Sequence, residues 1–571
     1  MRYLALATDY DGTLAEDGRV SAQTLEALKR VRESGRKLVL VTGRELDDLF
    51  RVFPEYAIFD RIVAENGALV FCPATREEHV LGEAPPPALL QRLAALDVTP
   101  LSVGRVIVAT WSPHETTVLE AIHTLGLELQ VIFNKGAVMV LPSGINKASG
   151  LRAALAELGV SPHNTVAVGD AENDHALLSE CEVGVAVSNA LPMLQERADW
   201  VTRGARGAGV RELIEELVAS DLHELEPLLS RHDLPLGAQA DGTPIAISPY
   251  GRRVLVCGTS GSGKSTLVSA FLENIGQRGY QFCLVDPEGD FHGLEGALEL
   301  GDNLNAPKAE DALAVLRSAD KSLIVDLLAL ALDRRAEFLT MLLARCAELR
   351  AATGRPHWVV VDEAHHMLPA ADMSVPEPLA HPPSGLLLIT VHPDKLATQV
   401  LEQIDTLIVV GRDPQEAIAS FASAVGRPQP ALDRMSELEP GEALLWCCRT
   451  ERPVLRFRAA APKSERRRHH RKYAAGALGE DKSFYFRGPA RRLNLRAHNL
   501  SLFLQIGDGV DDDTWCHHLR QGDYSHWVRE AIKNDALADE IAAVERDATQ
   551  TAVSSRQQIR AAIEKVYTLP A

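Results

Sequence analysis

The sequence predicts an α/β protein: two domains built on parallel sheets, followed by a smaller helical one. Three observations carry this. Short apolar runs recur between residues 3 and 412, each ended by glycine or a carboxylate and most followed by a helix-forming stretch, as in doubly wound sheets. At 571 residues the chain is too long for one core. Beyond residue 484 the apolar spacing becomes mostly helical.

Composition bounds the function. Hydrophobic residues make up 46% and charged ones 24%, as in ordinary soluble proteins. A net charge of −19 confines any nucleic-acid surface to a local basic patch. The eight cysteines are scattered, with only Cys447 and Cys448 adjacent and no C-x-x-C spacing, which reads as reduced thiols rather than disulfides or zinc. The chain enters a strand at once, without a basic and apolar leader, and no apolar run is long enough to span a bilayer. The expectation is a soluble, cytoplasmic protein with no membrane partner.

Taken in order, residues 3–8 form a buried-type strand ending in Asp9-Tyr10-Asp11-Gly12-Thr13. Two carboxylates one residue apart at a strand's C-terminal end suit phosphoryl transfer: Asp9 as nucleophile, Asp11 as acid and base. The strand at 37–41 ends in Thr42-Gly43-Arg44, where a hydroxyl and amides can hold phosphate oxygens. Lys147 supplies a cation near the start of a helix at 148–158. The strand at 165–168 ends in Gly169-Asp170-Ala171-Glu172-Asn173-Asp174, an oxygen-rich cluster suited, with Asp9, to Mg²⁺. Asn66-Gly67 reads either as a plain hairpin turn or as a turn beside the substrate.

These four motifs, in this order, resemble the haloacid dehalogenase (HAD) superfamily of phosphatases over residues 1 to about 215. The resemblance implies a Rossmann-like HAD domain with Asp9 as nucleophile, Asp11 as acid/base, and Thr42 and Lys147 as a phosphate clamp. It also implies a Mg²⁺ site made by Asp9, Asp170 and the Asp11 carbonyl, with Asn173 and Asp174 in support. Residues from about 82 to 144 read as helix (87–96), strand (103–111), helix (113–125) and two strands (127–133, 137–141). Their place matches the small α/β cap (class IIB) of the Cof-like and sucrose-phosphatase-like branch, which implies a small phosphorylated metabolite as substrate.

Residues 217–232 read as a charged helix, and 233–244 as a linker or as an edge strand and turn; 216–245 is taken as the linker between domains. An apolar strand at 254–257 then meets Gly258-Thr-Ser-Gly261-Ser-Gly263-Lys264-Ser265-Thr266 and a helix. This is a phosphate-binding loop: glycines let amides turn onto phosphate oxygens, Lys264 reaches the β/γ-phosphates, and Ser265 holds Mg²⁺. ATP is the expected ligand. Further strands at 280–286, 322–326, 357–361, 385–390 and 406–412 follow. The third of these ends in Asp362-Glu363, with Asp362 orienting Mg²⁺ and Glu363 polarising the attacking water. Thr390 or His392 is placed to sense the γ-phosphate. His365 and His366 point to different sides of their element and read as packing rather than a metal pair.

With Asp286-Pro-Glu-Gly-Asp290 and Asp362-Glu-Ala-His-His366, residues 246–460 resemble the HerA-type and conjugation-type DNA translocases. Thr390-Val391-His392 stands where that family usually carries a glutamine sensor. The resemblance implies ATP hydrolysis and assembly as a homo-oligomer of hexamer size, with DNA as a partner left open. Arg412 and Arg434 are candidates for a finger on a neighbouring subunit, or plain surface arginines. Residues 461–571 open with a basic run at 463–472, a solvated linker or a phosphate contact, and continue as the helical tail. Gly507–Asp513 lacks the ligand spacing of a calcium loop, His517, His518 and His526 make no zinc set, and 535–566 reads as one charged helix. Two other classes stand beside the phosphatase–ATPase fusion: a nucleic-acid end-healing phosphatase/kinase, and a phosphatase gated by ATP binding.

Overall fold

The structure, a computed structural model, describes residues 1–368, 385–432, 437–450, 452–462, 478, 483–489, 492–532, 534–547 and 549–566. They fall into two compact units, Met1–Gly289 with Gly296–Ala460, and Asp290–Glu295 with Ala461–Ala571. The basic run at 463–472 and Arg434 lie outside the described residues. Among those described, no helix is long and apolar enough to cross a membrane, and all eight cysteines are free thiols.

The first sheet has eight strands, ordered Trp200–Val201, Val183–Ala186, Thr165–Gly169, Ala5–Thr8, Lys37–Val41, Arg61–Ala64, Leu69–Cys72, Glu77–Val80. The first six are parallel and the last two antiparallel. Every residue of Ala5–Thr8 is buried, which explains its unbroken apolar reading: a parallel strand covered on both faces needs no polar side. Ser21 caps the helix Ala22–Glu33 by accepting from the Thr24 amide, and Ala27, Leu28 and Val31 pack it on the sheet. Asn146 caps Lys147–Leu158, taking the amides of Ala148 (3.0 Å) and Ser149 (3.1 Å). The helix therefore starts one residue earlier than expected, with Lys147 in its first turn.

The segment expected to be a cap forms a separate four-stranded antiparallel sheet, ordered Ser102–Val103, Val108–Trp111, Ala137–Pro142, Leu129–Asn134. The helices Pro87–Ala95 and Glu115–Thr124 share its small core of Leu89, Leu93, Val118, Val138 and Val140. Glu65 fastens cap to core. It is fully buried, and its carboxylate accepts the amides of Arg105 (2.9 Å), Val106 (2.8 Å) and Ile107 (3.0 Å).

The second sheet has eleven strands, ordered Pro244–Ile247, Leu234–Ala238, Leu455–Ala459, Glu442–Cys447, Thr406–Val410, Arg253–Cys257, Leu386–Thr390, Trp358–Val361, Phe282–Asp286, Ser322–Asp326, Ala297–Leu300. Residues 233–244 thus take the edge-strand alternative. The helix expected at 217–232 is displaced: it runs Arg206–Ser220, and a 3-10 stretch His223–Leu228 follows. The break is at Asp221 and Leu222, both with left-handed φ (+55° and +59°). Asp221 leaves the helix to accept the Arg2 amide and the Arg36 guanidinium.

Within this first unit the two sheets' domains meet along a polar seam. His163 lies between Glu182, 2.9 Å from Nδ1, and the carbonyl of Arg278, 2.6 Å from Nε2, and its ring stacks on Tyr280 at 3.7 Å. Glu182 also accepts from Arg2 (2.9 Å) and the Tyr280 hydroxyl (2.7 Å). The Tyr250 hydroxyl donates to the His163 carbonyl (2.8 Å), and Arg355 to the Gly159 carbonyl (3.0 Å). His357 accepts the Gln281 amide at Nδ1 (2.8 Å) and donates from Nε2 to Asn164 (3.2 Å). Gly354 is required here, since a Cβ would sit 2.2 Å from Asn164.

The seam makes stability depend on acid. Burial, and then the nearby His163, Arg350, Arg355 and Arg2, hold the His357 imidazole well below its ordinary range. Burial works against the Glu182 carboxylate, but His163 and Arg2 outweigh it and hold it below the usual carboxyl range. In both cases the unfolded chain takes up the proton first, so stability is lost as pH falls: from about 6.5 for His357 and from about 4.5 for Glu182. The melting temperature should fall on going from pH 7 to pH 5. His357→Gln should flatten the slope by up to about 1.4 kcal/mol per pH unit. Equal slopes for variant and wild type in denaturant titrations would remove His357 from this role.

The second unit is largely helical, as expected, with Leu500–Gly509, Asp512–Gln521, Asp523–Trp527, Asp535–Arg546 and Ala552–Val566. Its core gathers Phe484, Phe486, Phe503, Trp515, Tyr524 and Trp527. Two departures are found. Phe484–Phe486 pairs antiparallel with Leu495–Ala497, and the single helix expected at 535–566 is two. Asp547 divides it, turning its carboxylate onto the Thr549 amide (2.9 Å). Gly507–Asp513 is a junction between helices, where Asp511 caps the second by accepting from Thr514 (2.8 Å). His518 is held between Asp523 (2.7 Å) and the Arg487 amide (3.1 Å), a packing role.

Candidate functional site

The first candidate site forms where the central strand of the eight ends. Ala5–Thr8 lies between Thr165–Gly169 and Lys37–Val41, so Asp9, Asp170 and Thr42 emerge side by side at one sheet edge. Lys147 enters from its helix start and donates to Asp9 (2.5 Å) and Asp174 (2.6 Å). All three side chains are buried. Burial pushes the Asp9 carboxyl up to about 8, with Asp174 and Asp170 adding to the rise and Lys147 opposing it. Burial likewise lifts Asp170, against the pull of Lys135. Burial alone would lower the Lys147 ammonium, but Asp174 and Asp9 outweigh it and hold it above its ordinary range.

Asp9, Asp170 and Asp174 each offer a carboxylate oxygen, all within 4.8 Å of one another. Three buried carboxyl groups brought this close present hard oxygen donors that a divalent cation would hold ionised, the chemistry of a Mg²⁺ site. Asp174 is also a brace. Its other oxygen accepts the amides of Asp170 (2.9 Å) and Ala171 (3.0 Å), which fixes the loop that carries Asp170. Asn173 donates to Asn66 (2.9 Å). Asn66 is a turn residue (φ +55°) between antiparallel strands, and its side chain is buried against Asn173. A Cβ at Gly67 would lie 1.9 Å from the Asn146 carbonyl, so only glycine lets this turn pack on the helix start that carries Lys147.

Asp11 is held by an arginine. Both its oxygens are taken by Arg44, at 2.7 and 2.8 Å, and Arg44 also pairs with Asp48. Thr42 is buried and accepts the Arg44 amide at its hydroxyl (3.1 Å). Two residues here were not singled out from sequence. Glu65 carries no motif. Lys135 was legible only as Lys-Gly at the turn between two cap strands, yet its ammonium reaches Asp170.

The second candidate site is the loop after Arg253–Cys257. Gly258 (φ +153°), Gly261 (φ +74°) and Gly263 (φ +96°) supply its turns, and a Cβ on Gly258 would meet the Val410 carbonyl at 2.1 Å. The helix Lys264–Gln277 begins directly after it, so Lys264, Ser265 and Thr266 form its first turn and its positive end faces the loop. The Lys264 ammonium donates to the carbonyls of Gly258 (2.9 Å) and Thr259 (3.1 Å), which hold it at the mouth. Leu386–Thr390 is inserted between this strand and Trp358–Val361. Asp362, at the end of the latter, is buried, and Glu363 has a left-handed φ of +43°.

His365 packs between Glu363 and Thr390. Its Nδ1 is 3.3 Å from Glu363 and 3.1 Å from the Thr390 hydroxyl. Burial first, then His366 and His392, hold it at about 4, so it is neutral at physiological pH. His366 lies against it with ring centroids 4.1 Å apart.

Comparison with known proteins agrees with this division. Residues 6–94 and 118–214 match the family described as haloacid dehalogenase-like hydrolase, and residues 250–380 match an AAA domain. A phosphoglycolate phosphatase of Haloarcula marismortui is 32% identical over 223 residues, spanning 37% of this chain and 95% of that protein. One from Methanothermobacter thermautotrophicus is 29% identical over 219 residues, spanning 37% and 96%. A solved haloacid dehalogenase-like hydrolase from Bacteroides thetaiotaomicron is similar with a TM-score of 0.33 and 20% identity, covering 38% of this chain and 99% of that one.

Proposed function

The chain belongs, through its first 214 residues, to the haloacid dehalogenase-like hydrolases, and from that premise we propose that residues 1–215 are a Mg²⁺-dependent phosphatase working through an aspartyl-phosphate on Asp9. The observation that carries this reading is Asp9 at the head of the central strand, bonded to Lys147 and grouped with Asp170 and Asp174. Asp9 attacks phosphorus while Lys147 and the Thr42 hydroxyl hold the phosphoryl oxygens. Asp11 gives its proton to the leaving oxygen, then takes one from the water that cleaves the acyl-phosphate and returns Asp9. Its paired contact with Arg44 must open for this. Asp9, Asp170 and the Asp11 carbonyl, with Asn173 and Asp174 behind them, would hold Mg²⁺, whose charge would neutralise that of the phosphoryl group.

Residues of about 82–144 serve as a compact class IIB cap that admits a small phosphorylated metabolite. The names of the relatives put 2-phosphoglycolate first among the esters to try. The deciding experiment is a phosphatase screen over small phosphomonoesters and 3′-phosphorylated DNA, with and without chelator. Chelator-insensitive turnover would reject the Mg²⁺ reading. Turnover of DNA ends alone would favour the end-healing class.

For residues 246–460 we propose an ATPase of HerA-like type, with Lys264, Ser265 and Thr266 on phosphate and metal, Asp362 on Mg²⁺ and Glu363 on water. The strand inserted between the loop strand and the Asp362-Glu363 strand favours it over a kinase. Ring assembly and DNA-stimulated ATP hydrolysis that weakens steeply with salt are expected of a motor. Light scattering with ATP, followed by ATPase assays with DNA at two salt concentrations, tests this. A monomer indifferent to DNA, whose phosphatase rate changes with bound ATP, would favour the gate.

A further inference from the structure

Of the cap's charged side chains, Lys135 is placed against the catalytic motifs. It sits with Gly136 at the tip of the hairpin between Leu129–Asn134 and Ala137–Pro142, in a left-handed turn (φ +48°). Its ammonium pairs with the Asp170 carboxylate, and a Cβ on Gly12 would lie 2.7 Å from Nζ. The lysine therefore stands directly over the Asp9–Thr13 loop. Its partner Asp170 is fully buried, whereas Lys135 keeps 46% of its side chain in solvent, at the mouth of the site. Arg105, also in the cap, is engaged elsewhere, with Glu78 and Asp47.

We infer that Lys135 is a carboxylate-binding residue for a substrate that carries a second anionic group beside its phosphate. The inference rests on the phosphatase reading and deepens it. Asp170 belongs to the metal-binding set, and a divalent cation there would both take the carboxylate from Lys135 and repel the ammonium. The lysine is tethered to the cap above the core, while the phosphoryl group is held from below by Thr42 and Lys147. The freed ammonium then faces the substrate's far end. A carboxylate one or two carbons from the phosphate gives it a new partner; a neutral tail gives it none. The same cation thus guards the acid cluster before loading and reads charge after it.

The test compares 2-phosphoglycolate with ethyl phosphate, which has a methyl group in place of the carboxylate, in wild type and Lys135→Gln. Melting curves establish that the variant is folded. The ratio of kcat/KM for the two esters should fall about tenfold or more in the variant, the usual size for loss of a charged hydrogen bond. The change should lie mainly in KM. A fall smaller than threefold overturns the inference. Calorimetry with both esters and Mg²⁺ in an Asp11→Asn background, which keeps all three carboxylates of the metal set while suppressing turnover, gives a second readout. Preference for the carboxylate ester should vanish on adding Lys135→Gln, and equal preference with and without the lysine overturns the assignment. If wild type hydrolyses neither ester, the phosphatase reading is decided by the wider screen, and the calorimetric comparison still decides on Lys135.

Discussion

Asp9→Asn is expected to abolish ester hydrolysis, by about three orders of magnitude or more, while ATP hydrolysis continues. The substitution keeps the size of the side chain and its contact with Lys147 but removes the nucleophile. It also carries a stability signature. Burial raises the Asp9 carboxyl to about 8, so ionising it works against the folded state at every pH above the ordinary carboxyl value of about 4. That penalty grows until the folded-state value is passed. Metal-free Asp9→Asn should therefore melt no lower than wild type at pH 7 to 8, and higher if Asp9 carries the strain of the acid cluster. Ester turnover at the wild-type rate would remove Asp9 from the chemistry. A melting temperature several degrees lower would show that Asp9 is a structural ion-pair member instead.

Two substitutions should divide the nucleotide site into separable parts. Lys264→Ala removes the ammonium at the loop's mouth and should weaken ATP binding about tenfold to a hundredfold. Glu363→Gln leaves the phosphate loop intact and should bind ATP normally but hydrolyse it about a hundredfold more slowly or worse, the usual share of a general base. Filter binding and phosphate release measure the two effects independently. Equal hydrolysis by Glu363→Gln and wild type would move the base elsewhere. His365, set between Glu363 and Thr390, would then be the residue to change next.

The strands that lead to the candidate sites were legible because of their burial. In Ala5–Thr8 and Trp358–Val361 an unbroken apolar run marks the buried parallel strand, and the first polar residues beyond it are the candidate site residues. What could not be read were contacts without a local pattern. Nothing near His163 points to Arg278, 115 residues away, and nothing near Glu65 announces three amides some forty residues on. Helix ends failed where a side chain left the periodicity for a distant partner, as Asp221 does for Arg2 and Arg36. Neighbouring histidines on a short helix were expected to diverge, whereas the turn after Glu363 sets the rings of His365 and His366 4.1 Å apart and brings His365 onto Thr390. The aromatic triplet at 484–486 gave no sign that its partner strand lay at 495–497.

The polar seam has a consequence for how this sequence can drift. Three of its hydrogen bonds end on main-chain carbonyls, those of Arg278, His163 and Gly159, and a main-chain carbonyl is the one acceptor every amino acid supplies. The seam is therefore asymmetric in what it asks of mutation. The donors, His163, Tyr250 and Arg355, have side-chain identities to keep, while Arg278 as an acceptor has none. A change of side chain at Arg278 leaves that acceptor where it was, whereas a change at His163 removes two bonds at once, those to Glu182 and Arg278. The seam thus constrains Glu182 and Asn164, which accept through their side chains, more tightly than it constrains Arg278.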